Sequence, residues 1–306
     1  MPGPAPAPAA PVRRRAAWPA PGAVLELLKP ITWFPPIWAF ACGIVASGAA
    51  LAEVWPRALL GLVLAGPLVC GMSQAVNDWF DRHVDAVNEP QRPIPSGRLP
   101  GRWGLWIAIA WTLLSLAVGW ALGPWGFAAT AVGVALAWAY SAPPLRLKRD
   151  GWLGNAACAL CYETLPWITA AAVLSGGAPD PRVVLVALLY GAGAHGIMTL
   201  NDFKSVEGDR RFGIRSLPVQ LGPDRAARLA CVVMAVPQAV VVALLIAWGA
   251  PFAAAAIGAS LVAQGACMVR MLRDPRGLAP WYNATGISLY VLGMMASAVA
   301  LRGGAP

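Results

Sequence analysis

The sequence predicts an all-α membrane protein, a single polytopic bundle of nine transmembrane helices. Of its 306 residues, 58% are apolar and only 12% are charged, and the mean hydropathy is +0.60. Soluble domains carry about 25% charged residues, so this composition is typical of a membrane protein. About 20 consecutive apolar residues cross the hydrocarbon core of a bilayer. Nine such windows occur, at 31–53, 57–77, 103–122, 124–141, 152–174, 182–201, 227–248, 251–271 and 281–301.

The first 23 residues differ from the rest of the chain. They are rich in proline and alanine, contain Arg13, Arg14 and Arg15, and include no acidic residue. Trp18 and nearby prolines interrupt the apolar core that a signal peptide would need, and the serine typical of a transit peptide is missing. We predict that residues 1–25 form a disordered basic tail beside the membrane and that residues 26–303 form one transmembrane domain.

Basic residues concentrate on one side of this nine-span arrangement. Twenty of the 23 lysines and arginines fall on the side of the N-terminus, and only Arg57, Arg182 and Arg302 fall opposite. Such an excess is typical of the cytoplasmic side. We therefore expect the N-terminus and the two long loops, 2–3 at about 78–102 and 6–7 at about 202–226, to be cytoplasmic. The net charge of +9 is therefore explained by the orientation of the chain in a lipid bilayer and does not indicate binding to nucleic acid.

Two polar segments share one pattern where a predicted span ends. The segment "NDWFDRHVD" at 77–85 aligns without gaps with "NDFKSVEGD" at 201–209. Four spans separate the two copies, so both helices emerge on the same side and in the same direction. We expect them to form facing walls of one site, with loops 2–3 and 6–7 lying over it.

Helical geometry places the acids of each segment together. At 100° per residue, the spacing shared by the two copies confines the polar residues of each copy to a stripe about 100° wide. Glu207 and Lys204 fall off that stripe. The stripes contain Asn77, Asp78, Asp81 and Asp85 in the first copy and Asn201, Asp202, Ser205 and Asp209 in the second.

Clustered carboxylates at a membrane boundary repel one another and are poorly solvated, and a hard divalent cation relieves both penalties. Mg²⁺ suits carboxylate and amide oxygens and commonly binds substrate phosphates as well. An isoprenyl diphosphate combines a head for Mg²⁺ with an apolar tail for the bilayer. The alternative is a pair of solvated helix ends balanced by arginines, which the matching register of two copies disfavours. The candidate metal ligands are Asn77, Asp78, Asp81, Asp85, Asp202 and Asp209.

Basic side chains flank both stripes and could bind the diphosphate oxygens that the metal leaves unsatisfied. For any single residue the alternative is ordinary cytoplasmic charge, so only the group supports phosphate binding. Its members are Arg82, Arg92, Arg146, Lys148, Lys204 and Arg210.

These residues resemble the UbiA superfamily of intramembrane prenyltransferases, and within it the chlorophyll and bacteriochlorophyll synthases. The resemblance extends from about residue 26 to the last span. The Trp-rich spans and "CYETLPW" at 161–167 resemble purple-bacterial members most. The other stretches that carry it are "ITWFPPIWAF" at 31–40, "NDWFDRHVDAVNEPQRPIPSGRLP" at 77–100, "AYSAPPLRLKRDGWLGN" at 139–155 and "HGIMTLNDFKSVEGDRRFGIRSLPV" at 195–219.

The resemblance implies a Mg²⁺-dependent transfer, with two ions bridging the diphosphate. A geranylgeranyl or phytyl group would pass from its diphosphate to the propionate of (bacterio)chlorophyllide a. It implies a catalytic set of Asn77, Asp81 and Asp85 in the first copy, and of Asp202 and Asp209 in the second. Ser205 departs from members that have aspartate there, which leaves the second set poorer in charge.

The resemblance also implies a cellular location and partners. The location is the bacterial inner membrane, which is either the cytoplasmic membrane or the intracytoplasmic photosynthetic membrane. Partners from pigment synthesis or photosystem assembly are expected there.

The acceptor pocket has a weaker sequence signature. Fifteen tryptophans offer flat aromatic surfaces, although many lie near span ends, where tryptophan anchors helices at the interface. His195 could ligate the chlorin magnesium or bond a substrate carbonyl, or it could be a hydrogen-bonded packing residue. Tyr162 and Glu163 lie within the fifth span, where an ionisable residue is a functional candidate.

Two other functions fit the same sequence. A related prenyltransferase acting on a quinone precursor or on haem would have the same metal site and another acceptor. A membrane transporter would place ionisable residues near the bilayer midplane of several spans. Only Glu163 and His195 qualify for that arrangement.

Overall fold

The computed structural model describes residues 18–302, and this part of the chain is helical and contains no β-strand. Three short 3₁₀ turns lie at Pro30–Thr32, Leu147–Arg149 and Asp202–Ser205. The predicted all-α architecture is confirmed. The helices are α1 Pro21–Leu28, α2 Phe34–Ala46, α3 Leu51–Asn88, α4 Trp103–Ala121, α5 Gly123–Ser141, α6 Gly151–Ser175, α7 Pro181–Asn201, α8 Val206–Phe212, α9 Leu217–Leu221, α10 Pro223–Ala247, α11 Pro251–Met271 and α12 Pro275–Ala300.

Seven helical segments within residues 18–302 are long and apolar enough to cross a membrane, where the sequence predicted nine. An eighth span results if α1 and α2 count as one, since the chain bends by 57° between them. The helix α5 has 19 residues but is not among the seven. Its glycines, tryptophans, tyrosine and proline lower its hydropathy.

The predicted boundaries also shift. The helix α1 begins at Pro21, where proline is well suited to the first helical turn, so residues 21–25 are helical and not part of a disordered tail. Residues 1–17 of that tail and residue 303 at the predicted domain end lie outside the described residues. The long polar loops are shorter than expected, because α3 continues to Asn88 and α8 continues the chain beyond Asp202.

Two long helices contain a widened π-helical turn, at Leu64–Cys70 in α3 and at Leu160–Thr164 in α6. A proline lies within the first, Pro67, and another, Pro166, follows the second by two residues. Proline has no N–H and clashes with the carbonyl of the preceding turn, so the regular hydrogen-bond ladder is interrupted there. Such wide turns are frequent at functional sites.

Small residues allow the helices to pack closely. A Cβ on Gly43 of α2 would lie 2.2 Å from the Trp167 carbonyl oxygen, and a Cβ on Gly196 of α7 would lie 2.6 Å from that of Ala230. Close backbone approach at small residues is typical of helix pairs in membranes. Farther along the bundle, Gln238 and Gln264 exchange two buried hydrogen bonds of 3.0 Å, which satisfy both amides.

A backbone bridge joins two connections at the polar end of the bundle. Gly151 N donates to Arg215 O at 2.8 Å, and Arg215 N donates to Arg149 O at 2.9 Å. A Cβ on Gly151 would lie 2.6 Å from Leu217 N, so glycine permits this approach. The bridge holds the connection before α6 against the connection after α8.

Candidate active site

The first acidic segment forms the last turns of α3, and a cation holds each of its carboxylates. Lys29 Nζ contacts the buried Asp78 at 2.6 Å, and Arg92 lies 3.4 Å from Asp78 and 2.9 Å from Asp85. Asp81 contacts Arg146 at 3.0 Å and Lys148 at 2.5 Å, both from the connection between α5 and α6. The predicted stripe is therefore divided: Asp78 and Asp85 share Arg92, while Asp81 has its own two cations.

The second acidic segment is not the continuous α-helix that the helical wheel assumed, but Asp202, Ser205 and Asp209 still lie close together. The 3₁₀ turn Asp202–Ser205 separates α7 from α8 because the last turn of α7 tightens, and a 3₁₀ turn has three residues per turn. Ser205 Oγ donates to Asp202 O and to Asp209 Oδ2, both at 3.0 Å. Ser205 thus stabilises the neighbouring carboxylate.

Neutral donors, and not cations, hold the second segment. Asn155 Nδ2 donates to Asp202 Oδ2 at 3.2 Å, and Ser216 Oγ donates to Asp209 Oδ2 at 2.6 Å. Within residues 18–302, neither aspartate has a lysine or arginine at salt-bridge distance. The side chains of Lys204 and Arg210 are exposed. The two acidic segments therefore differ in how their charge is balanced.

The cations of the first segment are themselves partly enclosed. Burial lowers the pKa of Lys148, although the Asp81 carboxylate acts in the opposite direction. Burial alone would lower the pKa of Arg92 as well, but Asp78 and Asp85 outweigh it and raise that pKa. Arg82 instead donates to the Trp79 carbonyl at 2.7 Å and stacks over the Trp79 ring at 4.2 Å.

A cavity of about 200 Å³ extends from the first acidic segment into the bundle. Its polar end contains Asn77, Gln74 and Tyr162, and Gln74 Nε2 donates to the Tyr162 hydroxyl at 3.1 Å. A smaller cavity of about 40 Å³ continues it toward Phe40 and Leu165. The two share the lining residues Ala65, Val69, Gly133 and Cys161. We call these two adjoining cavities together the reaction cavity, because they extend from the polar end of α3 to an apolar interior.

The three acceptor candidates lie in three different places. Tyr162 lines the reaction cavity, as its position in the widened turn of α6 allows. Glu163 is buried within the bundle, and its Oε2 has no hydrogen-bond partner among the described residues. His195 lines a separate groove on the other side of α6. The structure therefore does not bring these three side chains together.

Sequence reasoning missed several residues that position the acids. Asn155 and Ser216 lie within the stretches that carried the family resemblance, so their presence there was the available signal. Lys29 reaches Asp78 across 49 residues, and Asn283 Nδ2 donates to Asn201 Oδ1 at 2.7 Å across 82 residues. No local spacing indicates such long-range contacts.

The acidic residues fit Mg²⁺ by donor type, because all of them offer carboxylate or amide oxygens. Among residues 18–302, however, no three His, Cys, Asp or Glu side chains come together in a group able to hold a metal ion. The carboxylates of α3 instead contact lysines and arginines. Asp78 is the most buried of these carboxylates, with 2% of its surface exposed. Lys29 and Arg92 both contact its Oδ1.

The fold and the candidate site fit a membrane-embedded prenyltransferase, and comparison with known proteins shows this class. The chain belongs to the UbiA prenyltransferase family, whose family model matches residues 27–296. It is 67% identical to the bacteriochlorophyll synthase 33 kDa chain of Cereibacter sphaeroides, over 93% of this chain and 94% of that one. It is 38% identical to the chloroplastic chlorophyll synthase of Arabidopsis thaliana, over 90% of this chain and 73% of that one.

Solved structures show the same fold. A UbiA homolog from Archaeoglobus fulgidus, bound to GPP and Mg²⁺, superposes with a TM-score of 0.68 at 20% identity, covering 89% of this chain and 99% of that one. A digeranylgeranylglyceryl phosphate synthase superposes with a TM-score of 0.68 at 19% identity, covering 92% and 98%. The family match, the 67% identity to a bacteriochlorophyll synthase and the long apolar helices together show that the protein is a multi-pass membrane enzyme, a prenyltransferase.

Proposed function

We propose that this enzyme transfers a geranylgeranyl or phytyl group from its diphosphate to the propionate carboxylate of (bacterio)chlorophyllide a, in a Mg²⁺-dependent reaction. The observation that carries the proposal is the 67% identity to a bacteriochlorophyll synthase over nearly the whole chain. The reaction cavity supports it, because its polar end, lined by Asn77, lies one helical turn from the cation-paired Asp81 and leads into an apolar interior. A prenyl diphosphate has the same two halves.

The reaction exchanges one carbon–oxygen bond for another. The C1–O bond to the diphosphate breaks with its electron pair on the leaving group, and a propionate oxygen forms the ester bond to C1. Arg92, Arg146 and Lys148 would bind and stabilise the departing diphosphate. A propionate has an ordinary pKa of about 4.3, so it is already ionised at neutral pH and needs positioning instead of a general base.

Mg²⁺, when bound, would neutralise charge on the diphosphate as it leaves. Its oxygen ligands would be drawn from both acidic segments, and we propose two ions. Asp78 would act differently, by orienting Lys29 and Arg92, because both contact its Oδ1. The proposed ligands are Asn77, Asp81, Asp85, Asp202 and Asp209.

The contacts of Asp81 suggest how the site changes when substrate enters. Arg146 and Lys148 now hold both oxygens of this carboxylate. A bound diphosphate would offer these cations stronger acceptors and would leave the carboxylate oxygens for the metal. Lys204 and Arg210 would approach the diphosphate from the exposed face of the second segment, whereas Arg82 would support Trp79.

We further propose the cellular setting. The enzyme would lie in the bacterial inner membrane, cytoplasmic or intracytoplasmic, with its N-terminus and acidic segments on the cytoplasmic side. Other proteins of pigment synthesis or photosystem assembly would be its partners. The transmembrane domain would occupy most of the chain, and the basic residues at 13–15 would lie outside that domain.

An assay with competing acceptors tests the function. Membranes containing the enzyme are incubated with Mg²⁺, geranylgeranyl diphosphate and, separately, chlorophyllide a, bacteriochlorophyllide a, a hydroxybenzoate or haem. We expect a geranylgeranyl ester of the chlorin, identified by chromatography and mass, which disappears when EDTA removes the metal. A prenylated hydroxybenzoate or haem without any chlorin ester would contradict the proposal, and so would the absence of a chlorin ester from a folded preparation.

A further inference from the structure

A second concave surface lies on the far side of α6 from the reaction cavity. This groove, of about 380 Å³, is formed by α6 and α7 with Val233 of α10 at its edge. Trp152 and Leu188 line it and are 45% and 49% exposed, so the groove opens to the outside of the helical bundle. The reaction cavity is lined by other residues of α6, among them Cys158 and Tyr162. A single helix therefore separates the two spaces.

Small residues create the groove. A Cβ on Gly191 would lie 1.8 Å from Thr164 Oγ1, so α6 and α7 nearly touch at its floor. Ala156 and Ala192 line the groove and are exposed, which leaves it open beside that contact. A volume of about 380 Å³ with an apolar lining falls in the range of small-molecule sites. The groove is thus already formed without a ligand.

His195 is the ionisable group of this groove, and its ring contacts Trp152. Its Nε2 lies 3.3 Å from the Trp152 carbonyl oxygen, and its ring lies 5.8 Å from the Trp152 ring. In the tautomer with the proton on Nε2, the ring donates to this carbonyl and has a lone pair on Nδ1. An imidazole oriented by a backbone carbonyl through one nitrogen is the usual form of a metal-binding histidine.

We propose that this groove binds the ring of a magnesium chlorin taken from the bilayer, with His195 as the axial ligand of its magnesium. The inference rests on the proposed function, which makes such a pigment the acceptor. A chlorin is flat and apolar, which suits the groove and the exposed Trp152 indole. The four ring nitrogens of a chlorin leave an axial position on the metal open, which suits an imidazole nitrogen. The unesterified acceptor and the esterified product share this chemistry.

Hydrogen bonds connect the groove to the second acidic segment. Thr199 Oγ1 donates to the His195 carbonyl at 2.9 Å, and Asn155 Nδ2 lies 3.3 Å from Thr199 Oγ1. The same Asn155 amide donates to Asp202 Oδ2 at 3.2 Å. A pigment in the groove would therefore lie next to the helix pair that positions Asp202, outside the reaction cavity and beside it.

Pigment binding to the full-length enzyme in lipid nanodiscs, without prenyl diphosphate, tests the proposal. The probes are chlorophyllide a, its geranylgeranyl ester and metal-free pheophorbide a, followed by the visible absorption band that responds to axial ligation and by tryptophan quenching. We expect the magnesium pigments to bind about tenfold more tightly than the metal-free ring. His195→Ala should remove this preference and the spectral shift.

A second variant tests pigment binding in the groove without changing His195. Ala192→Phe should fill the groove and raise both the dissociation constant and the KM for chlorophyllide about tenfold, with the KM for geranylgeranyl diphosphate unchanged. Ala256→Phe is the matched control, because Ala256 is also an exposed alanine but lies on α11 outside the groove. This control should bind pigment as the unchanged enzyme does. Thermal midpoints measured in parallel show whether each variant is folded.

The outcomes distinguish a failure of the groove proposal from a failure of the proposed function. Tighter binding of the unesterified pigment identifies the groove as an entry site, and tighter binding of the ester identifies it as an exit site; both support the proposal. Equal affinity for magnesium and metal-free rings, or unchanged binding in folded His195→Ala and Ala192→Phe, overturns it. If ester still forms in that case, the proposed function survives. If no chlorin is esterified by the unchanged enzyme, the proposed function itself fails.

Discussion

Asp81 is the carboxylate of α3 whose contacts bear most directly on the chemistry. Both of its oxygens face cations from the connection between α5 and α6, Arg146 at 3.0 Å and Lys148 at 2.5 Å. Asp78, three residues earlier, is 2% exposed and pairs with Lys29. Neighbours in sequence thus face different surroundings, and we assign metal binding to the first and orientation of cations to the second.

Replacing Asp81 with asparagine tests this assignment. We expect Asp81→Asn to lower kcat/KM about a hundredfold or more, because a charged oxygen ligand near the leaving group is lost. Ester formation in purified membranes measures the effect. Glu207→Gln is the control, since Glu207 is 76% exposed in its side chain and lies off the stripe. Undiminished turnover in Asp81→Asn, with protein levels matched, would contradict the metal assignment.

The serine donors of the second segment allow a separate prediction. Ser216→Ala removes the 2.6 Å hydrogen bond to Asp209, so the carboxylate is less well oriented. We expect the Mg²⁺ concentration for half-maximal activity to rise about tenfold, as for other residues that orient metal ligands. A Mg²⁺ titration of activity measures it. Ser260→Ala is the comparison, because Ser260 bonds Leu289 O on α11 and α12. Equal Mg²⁺ requirements in both variants would show that Asp209 does not bind the metal.

At the scale of elements, interruptions of regular helix shape the site. The widened turns of α3 and α6 contribute Val69 and Cys70 from one helix and Cys161 and Tyr162 from the other to the reaction cavity. The 3₁₀ turn after α7 leaves Ser205 beside Asp209, where the helical spacing also placed it.

The backbone bridge between Gly151 and Arg215 should be sensitive to a single methyl group. Gly151→Ala would place a Cβ 2.6 Å from Leu217 N, and overpacking of this kind costs about 1–3 kcal/mol. We expect a lower thermal midpoint in detergent. Gly208→Ala is the matched control in α8, because a Cβ there meets nothing within 4 Å and alanine favours a helix by about 1 kcal/mol. Equal midpoints for both variants would contradict a stabilising role for the bridge.

Gly133 lies where the two parts of the reaction cavity meet, and it should influence prenyl chain length. A Cβ there would lie 3.4 Å from Leu165 and 3.6 Å from Val69, so a larger side chain would narrow the passage. We expect Gly133→Leu to lower kcat/KM for geranylgeranyl diphosphate about tenfold relative to geranyl diphosphate. Steady-state kinetics with both donors measure the ratio. Gly258→Leu, at an open position, should leave it unchanged. An equal loss for both donors would show that the prenyl tail lies elsewhere.

On the scale of the whole molecule, the acidic and basic side chains of the candidate site lie together at one end of the helical bundle. The described connections there include residues 89–102, 142–150 and 213–216, and they supply Arg92, Arg146, Lys148 and Ser216 to the acidic segments. A water-soluble diphosphate and a membrane-soluble tail can therefore meet at one boundary.

The orientation in the membrane is testable with introduced cysteines. We expect Ala178→Cys, between α6 and α7, to react with a membrane-impermeant maleimide in intact spheroplasts. Gln91→Cys, between α3 and α4, should react only after the membrane is opened. Both positions are exposed, and all six native cysteines lie in helices, which permits clean labelling. The reverse pattern would place the acidic segments on the outer side and overturn the charge-based topology.

Much of this arrangement could be predicted from local pattern, and the failures have physical causes. Apolar length predicted helices, but α5 shows that glycine and aromatic residues weaken the hydropathy signal without preventing a helix of 19 residues. The regular spacing of Asp81 and Asp85 predicted one face of α3, which α3 retains. At Asp202 a 3₁₀ turn replaces the regular helix that this spacing assumes, and Ser205 nevertheless contacts both Asp202 and Asp209.

The sequence by itself determined the helical class, the repeated acidic segments and the family, because these depend on composition, spacing and motif, which are local. Only the tertiary structure decided which groups meet. Lys29 reaches Asp78, Asn155 reaches Asp202, and Ser216 reaches Asp209 through contacts that the packing of separate helices creates. It also placed His195 in a groove apart from Tyr162, because α6 lies between them and presents a different face to each space.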